Sequence, residues 1–181
     1  VSRIYTPQLP EAAPEKSRPL LKAVQSQLGS IPNLFRLVSN SPAALEGYLD
    51  FNGALAKGAL EPQLREQIAL AVAEFNGCGY CIAAHSYLGK LAKLSPEEIA
   101  AARRGTSSDS KAASAIAFAR KLVEARGKVN EAEVETLKSA GFDDAEIVEI
   151  VAHVALNTLT NYMNEALGTE IDFPRAEALA A

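Results

Sequence analysis

A chain of 181 residues, 48% hydrophobic and 22% charged, has the make-up of an ordinary globular protein and is long enough for a single domain, residues 1–181, with a sizeable core. Its net charge of −4 and pI near 5.3, with no basic cluster, argue against nucleic acid or an anionic membrane surface as the main partner. No apolar run approaches membrane-spanning length, Val1–Pro14 lacks the basic-then-apolar pattern of a secretory leader, and both cysteines fall in one C-x-x-C, so a reducing, cytoplasmic setting is expected.

Residues 1–15 contain Pro7, Pro10 and Pro14 and are expected to form an extended arm along the surface or against a neighbouring subunit. Ser17 is placed to cap a helix through Leu28, with Leu20, Leu21, Val24 and Leu28 at helical spacing and Gly29 closing it. Pro32 opens a short helical turn carrying Leu34, Phe35 and Val38. Ser41-Pro42 pairs a cap with a proline at the first helical position and starts a helix to about Lys57, expected to bury Leu45, Tyr48, Leu49 and Phe51. Glu61-Pro62 repeats that start signal, and Ile68–Ala73 is apolar on every side, which predicts a central, fully buried helix to about Asn76.

A further helix is expected from Cys78 to about Leu94. Ser95-Pro96-Glu97-Glu98 caps the next one, which ends at Gly105. Asp109 caps a helix to Arg126-Gly127, Asn130 one to Ala140-Gly141, and Asp143 or Asp144 begins a last long one through Leu167-Gly168. The tail, residues 169–181 with Asp172-Phe173-Pro174, is expected to fold back over the surface. No stretch alternates as a strand should, so the fold is expected to be all-α. Leu64–His85 and Glu146–Leu167 look alike, each a buried helix, an interruption and a second helix, as a duplication that kept thiols in one copy would look.

The informative stretch is Gly77–His85, which holds both cysteines and one of the two histidines. On a helix Cys78 and Cys81 stand at i and i+3, and Cys81 and His85 at i and i+4, so all three share a face. Gly77 offers a chain break that would put Cys78 in a first turn, where free N–H groups and the helix dipole favour a thiolate. A zinc site would need four ligands, and no second pair of ligands is evident; His153 is far along the chain in an apolar segment, beside Val151, Val154 and Leu156, and suits a hydrogen-bonded core or interface histidine. A static disulfide across so short a loop would stabilise little, and inert core packing is the remaining alternative. A zinc site is therefore not expected, unless carboxylates complete it.

In an antiparallel hairpin pivoting at Gly77, Glu66 lies eleven residues before the pivot and His85 eight after it, an axial offset of roughly one turn or less. A Glu66–His85 hydrogen bond is feasible, and Glu74, level with Cys81, is the competing carboxylate. This constellation suits peroxide reduction. A Cys81 thiolate attacks the O–O bond to give a sulfenic acid, Cys78 condenses with it to a disulfide, and an external dithiol restores both thiols, with His85 taking the Cys81 proton. The alternatives are a thiol–disulfide exchanger or redox sensor that reduces peroxide poorly, and a non-catalytic binding protein. Asn161, Tyr162 and Asn164 are expected to anchor the tail or a subunit contact rather than to act in catalysis.

Glu66, eleven residues, Cys78-Gly79-Tyr80-Cys81, three residues and His85 together closely resemble the AhpD-like alkylhydroperoxidases of the carboxymuconolactone decarboxylase superfamily. The late Asn161-Tyr162-x-Asn164 and Asp172-x-Pro174 look like its peroxidase-related branch; the superfamily's other activity, lactone decarboxylation, does not use a C-x-x-C pair, so the two thiols count against a decarboxylase-like enzyme. The resemblance implies a multihelical bundle with the C-x-x-C at the start of a central helix, a homo-oligomer (dimer, trimer or hexamer), and cofactor-free peroxidase activity. It further implies Cys81 as the peroxidatic thiol, Cys78 as the thiol presented to a lipoyl or thioredoxin-like reductant, and Glu66 with His85 as the proton relay. The best-studied members carry a second His between the cysteines. Tyr80 stands there in this chain, a possible supporting group that donates a hydrogen bond but is a poor base near neutral pH.

Overall fold

The computed structural model describes residues 1–179. Among them the regular elements are all helical: α1 (Arg18–Leu28), α2 (Asn33–Val38), α3 (Pro42–Leu55), α4 (Pro62–Asn76), α5 (Gly79–Leu91), α6 (Pro96–Arg103), α7 (Ser110–Glu124), α8 (Glu131–Ser139) and α9 (Asp144–Leu167). None of the described helices is long and apolar enough to cross a membrane.

The start signals act as their chemistry requires. Ser41, Ser95, Asp109, Asn130 and Asp143 each accept a backbone N–H of the first turn, and Ser95, Asn130 and Asp143 complete reciprocal capping boxes with Glu98, Glu133 and Glu146. Ser17 stands at the expected position but does not cap. Its buried hydroxyl donates instead to the Ser39 carbonyl at 2.7 Å and ties the start of α1 to the end of α2.

α4 is the hub, packed against α5, α6, α7 and α9, and Gln67–Ala73 is buried on every side. Small residues at 69, 71 and 73 let four helices approach one axis. One core joins α1–α3 to the start of α5; a second joins α4 to α7, α8 and α9. Leu45 is buried, Tyr48 and Leu49 are half-buried, and Phe51 is exposed, contrary to its expected burial, because it lies outside the face that α3 turns to the core.

α9 runs unbroken for 24 residues, so the interruption that suggested an internal duplication is absent. The N-terminal arm is less extended than expected, with 3₁₀ turns at Pro10–Ala12 and Glu15–Ser17. It is held to the C-terminal end of α9 by Arg3, whose guanidinium donates to the carbonyls of Glu165 and Ala166 and whose N–H donates to Leu167. The tail does fold back, to the junction of α2 and α5; its last two residues lie outside the described ones.

Candidate active site

The α4–α5 turn builds the site. Gly77 closes α4 with φ +68°, a left-handed conformation that glycine takes without a Cβ penalty, and so turns the chain sharply into α5. Cys78 is then the N-cap of α5 rather than a first-turn residue, its Sγ accepting the Cys81 N–H at 3.2 Å. Cys81 follows one turn in, with His85 a further turn along. From α4, Glu66 Oε2 lies 2.8 Å from His85 Nδ1, both side chains about one-fifth exposed. Glu74 is not available to His85, because its carboxylate accepts the Arg103 Nε–H at 2.8 Å.

The electrostatics separate the two thiols. A hydrogen bond from the Cys78 thiol, the His85 charge, and the amides of Asn164 and Asn161 hold Cys81 down at about 7, against the opposing effect of burial. Cys78 is pushed up by the same hydrogen bond to Cys81, by burial and by the Cys81 charge. The helix-start argument favoured a thiolate at Cys78; the packed structure puts it at Cys81, because there the imidazole and the amides converge. Burial works to lower the His85 pKa, but the charge and hydrogen bond of Glu66, with Cys81, raise it above its ordinary value. Tyr48 on α3 is kept neutral by burial and by the negative charges of Cys81 and Glu66.

Asn164 was expected only as an anchor. Its carbonyl does receive the Thr169 N–H of the tail at 3.0 Å, but its side-chain amide donates to Cys81 Sγ at 3.2 Å. Asn161 receives the Asn76 amide at 2.9 Å, whereas Tyr162 is exposed and remote from the thiols' face of α9. A signal for these residues was present: Asn157, Asn161 and Asn164 recur at helical spacing in an otherwise apolar segment, a pattern costly to bury without a purpose.

Tyr80 does not reach toward His85. Its hydroxyl accepts the Leu34 N–H at 3.2 Å and faces Asp172, and its ring meets Phe173 edge-on at 5.7 Å between centroids. The tail completes that contact: Asp172 accepts the Asn33 N–H at 2.7 Å, and Phe173 also meets Tyr87. Cys78 is 0% and Cys81 2% exposed in this structure; Phe173 of the tail and residues of α2 pack against the start of α5.

His153 is buried, with Val154 and Leu156 but not with exposed Val151. Its Nε2 finds no partner among the described residues, contrary to the hydrogen bond expected of it, and burial followed by nearby Arg65 lowers its pKa. Among the described residues no group of three or more His, Cys, Asp or Glu is placed to hold a metal ion.

Residues 42–125 match the model of the carboxymuconolactone decarboxylase family. No curated protein matches the chain. Among solved structures, the chain is similar to a peroxidase-related protein with an alkylhydroperoxidase AhpD core from Ralstonia eutropha, at 27% identity and TM-score 0.86, over 95% of this chain and 93% of that one. A peroxidase-related protein from a Silicibacter species gives 24% identity and TM-score 0.81, over 93% and 91% of the two chains. The debrominase Bmp8, solved with 2,3,4-tribromopyrrole, shares the fold at 21% identity and TM-score 0.78, over 95% and 94%.

Proposed function

We propose that this chain, an AhpD-like member of the carboxymuconolactone decarboxylase superfamily, is a thiol-dependent peroxidase that reduces alkyl or hydrogen peroxide and serves antioxidant defence. The observation that carries this reading is the grouping of Glu66, His85, Cys81 and Cys78 at the α4–α5 turn. Glu66 lies 2.8 Å from His85, the Cys81 N–H is on Cys78 Sγ, and the Cys78 hydrogen bond and His85 charge lower the Cys81 pKa while that of Cys78 is raised.

Cys81 gives its proton to His85, whose imidazolium Glu66 holds in place. The thiolate attacks the terminal peroxide oxygen; the O–O bond breaks, an S–O bond forms, and the departing alkoxide leaves as alcohol with the proton from His85. Cys78 then attacks the Cys81 sulfenic acid; an S–S bond forms, and the hydroxyl departs with the Cys78 proton as water. The peroxide has gained two electrons and the dithiol has lost them. A lipoyl or thioredoxin-like dithiol restores the thiols by exchange, which requires the tail to lift because Cys78 is covered. Glu74 and Tyr80 take no part in these steps. The protein acts as a homo-oligomer in this reading, supported by an uncharged stripe of Val148, Val151, Leu159 and Tyr162 exposed along one face of α9.

The test is consumption of cumene hydroperoxide by reduced protein with dihydrolipoamide or thioredoxin as donor, and intact mass before and after. Turnover with loss of two hydrogens per chain, abolished in Cys81→Ser, is the expected result. Disulfide formation without turnover would replace the peroxidase by an exchanger or sensor. Bromopyrrole consumption without peroxide consumption would point instead to the chemistry named for the debrominase.

A further inference from the structure

α9 is built inside out around the thiols. His153, Asn157, Thr160, Asn161 and Asn164 are buried, while apolar Val148, Val151 and Leu159 face outward. Buried amides are costly unless they are hydrogen-bonded, and the two nearest Cys81 are incompletely so. Asn164 donates through Nδ2 to Cys81 Sγ at 3.2 Å. Asn161 is oriented by the half-buried Asn76, whose amide donates to Asn161 Oδ1 at 2.9 Å. That contact commits the oxygen and leaves Asn161 Nδ2 a buried donor that acts only weakly on Cys81 and forms no full hydrogen bond among the described residues. A buried N–H, oriented through its own oxygen and near a nucleophilic sulfur, is placed to donate to an oxygen atom bound at that sulfur.

We propose that Asn164 and Asn161 form a two-amide cradle for the reaction at Cys81. Asn164 is a catalytic residue that holds the thiolate, and Asn161 receives the oxygen atom that Cys81 takes from the peroxide. The oxygen-receiving half rests on the peroxidase reading; the thiolate half does not. As the O–O bond breaks and sulfur passes from thiolate to sulfenic acid, the transferred oxygen keeps lone pairs that Asn161 Nδ2–H can meet, while the alkoxide takes its proton from His85. Asn76 is a positioning residue for Asn161. Both amides also favour the ionised form of Cys81, as a cradle for negative charge must.

The test uses the full chain carrying Cys78→Ser, so that Cys81 reacts alone. The other titratable groups around it (His85, Glu66, Tyr48, Tyr80 and Glu165) are unchanged in every variant. The rate of Cys81 alkylation by monobromobimane is followed against pH, and sulfenic acid is trapped with dimedone after one equivalent of cumene hydroperoxide. Asn164→Ala is expected to move the alkylation midpoint upward, with about tenfold less thiolate below it for each unit moved. The isosteric Asn164→Asp, which sets a negative charge against sulfur, moves it at least as far. Asn161→Ala and Asn76→Ala are expected to slow sulfenic-acid formation about tenfold beyond any change in thiolate fraction, roughly the loss of one preorganised donor at its low end.

Unchanged midpoints in folded Asn164 variants overturn the thiolate half. Sulfenic acid formed at the parent rate in the Asn161 and Asn76 variants overturns the oxygen half while leaving the peroxidase reading intact. If the alanine substitutions at Asn161 and Asn164 do not fold, Asn76→Ala at its half-buried helix end decides the oxygen half, and the isosteric Asn164→Asp, which opens no cavity, decides the thiolate half. Shifted midpoints with no sulfenic acid in any form, parent included, would keep the thiolate half and remove both the oxygen half and the peroxidase reading.

Discussion

At the scale of single residues, the site separates the tasks of similar groups by their surroundings. Two thiols share a hydrogen bond, yet only Cys81 also meets an imidazole and two amides, so its pKa falls to about 7 while that of Cys78 rises. The second-order rate with peroxide should climb through about pH 7 as Cys81 ionises and fall again at higher pH, as His85 loses the proton the leaving group needs. The two limbs belong to the coupled Cys81–His85 pair and not to either group alone. Glu66→Gln keeps the hydrogen-bonding shape but removes the charge, and should cost about 10² in rate. It should also act on stability in a defined direction. A raised His85 pKa stabilises the fold in full below the ordinary histidine value of about 6.5 and ceases to do so as pH rises through the raised value. Melting curves of parent and Glu66→Gln should therefore differ more at pH 6 than at pH 9.

At the scale of elements, the α4–α5 hairpin and α9 carry the chemistry. Gly77 has φ +68° and no neighbour within contact distance of an added Cβ, so Gly77→Ala tests backbone conformation alone. It should cost about 1–2 kcal/mol in urea unfolding, and Gly77→Asn less, since Asn visits the left-handed region more readily. A larger loss for Asn than for Ala would contradict this account of the turn. α9 shows where periodicity misleads. The spacing of its residues identifies a helix, but its apolar side chains cover two faces: one buries Ile147, Ile150 and Val154, and the other, with Val148, Val151 and Leu159, is exposed. The Asn157, Asn161 and Asn164 stripe continues the buried face into the second half of the helix, where Asn164 meets Cys81, and no rule of amphipathic patterning picks out that polar continuation.

At the scale of the whole molecule, segments distant in sequence close the site. The tail is pinned at Asn33 by Asp172 and Glu170, at Tyr80 and Tyr87 by Phe173, and at Arg103 through the Glu177 carbonyl. Asp172→Ala should speed alkylation of Cys78 several-fold with little change in melting temperature, because Asp172 is exposed and only pins the tail. Phe173→Ala should speed it too but lower the melting temperature, because its ring packs on the core at Tyr80. An unchanged rate would mean that reagent enters by another route. The exposed stripe on α9 makes a separate prediction. Leu159→Glu should reduce the sedimenting mass of the protein, since burying a carboxylate opposite another subunit is costly without a partner. A mass unchanged from the parent would place the subunit contact elsewhere.

The sequence by itself determined an all-helical fold, most helix starts and stops, the buried α4, and the spacing that lets Glu66 meet His85. These follow from local chemistry: a cap, a proline at the first turn, a glycine with positive φ, and the fixed rise of a helix. It did not determine which carboxylate His85 would take, because Glu74 is withdrawn by Arg103, 29 residues further along the chain. Nor did it place Asn164 on Cys81, 83 residues away, set the Tyr80 hydroxyl on the Leu34 N–H with its ring against Phe173 of the tail, or bury Cys78 completely. Those outcomes depend on which faces of separate helices meet. Local propensity does not encode that choice; the packing of α5, α6, α7 and α9 around α4 does.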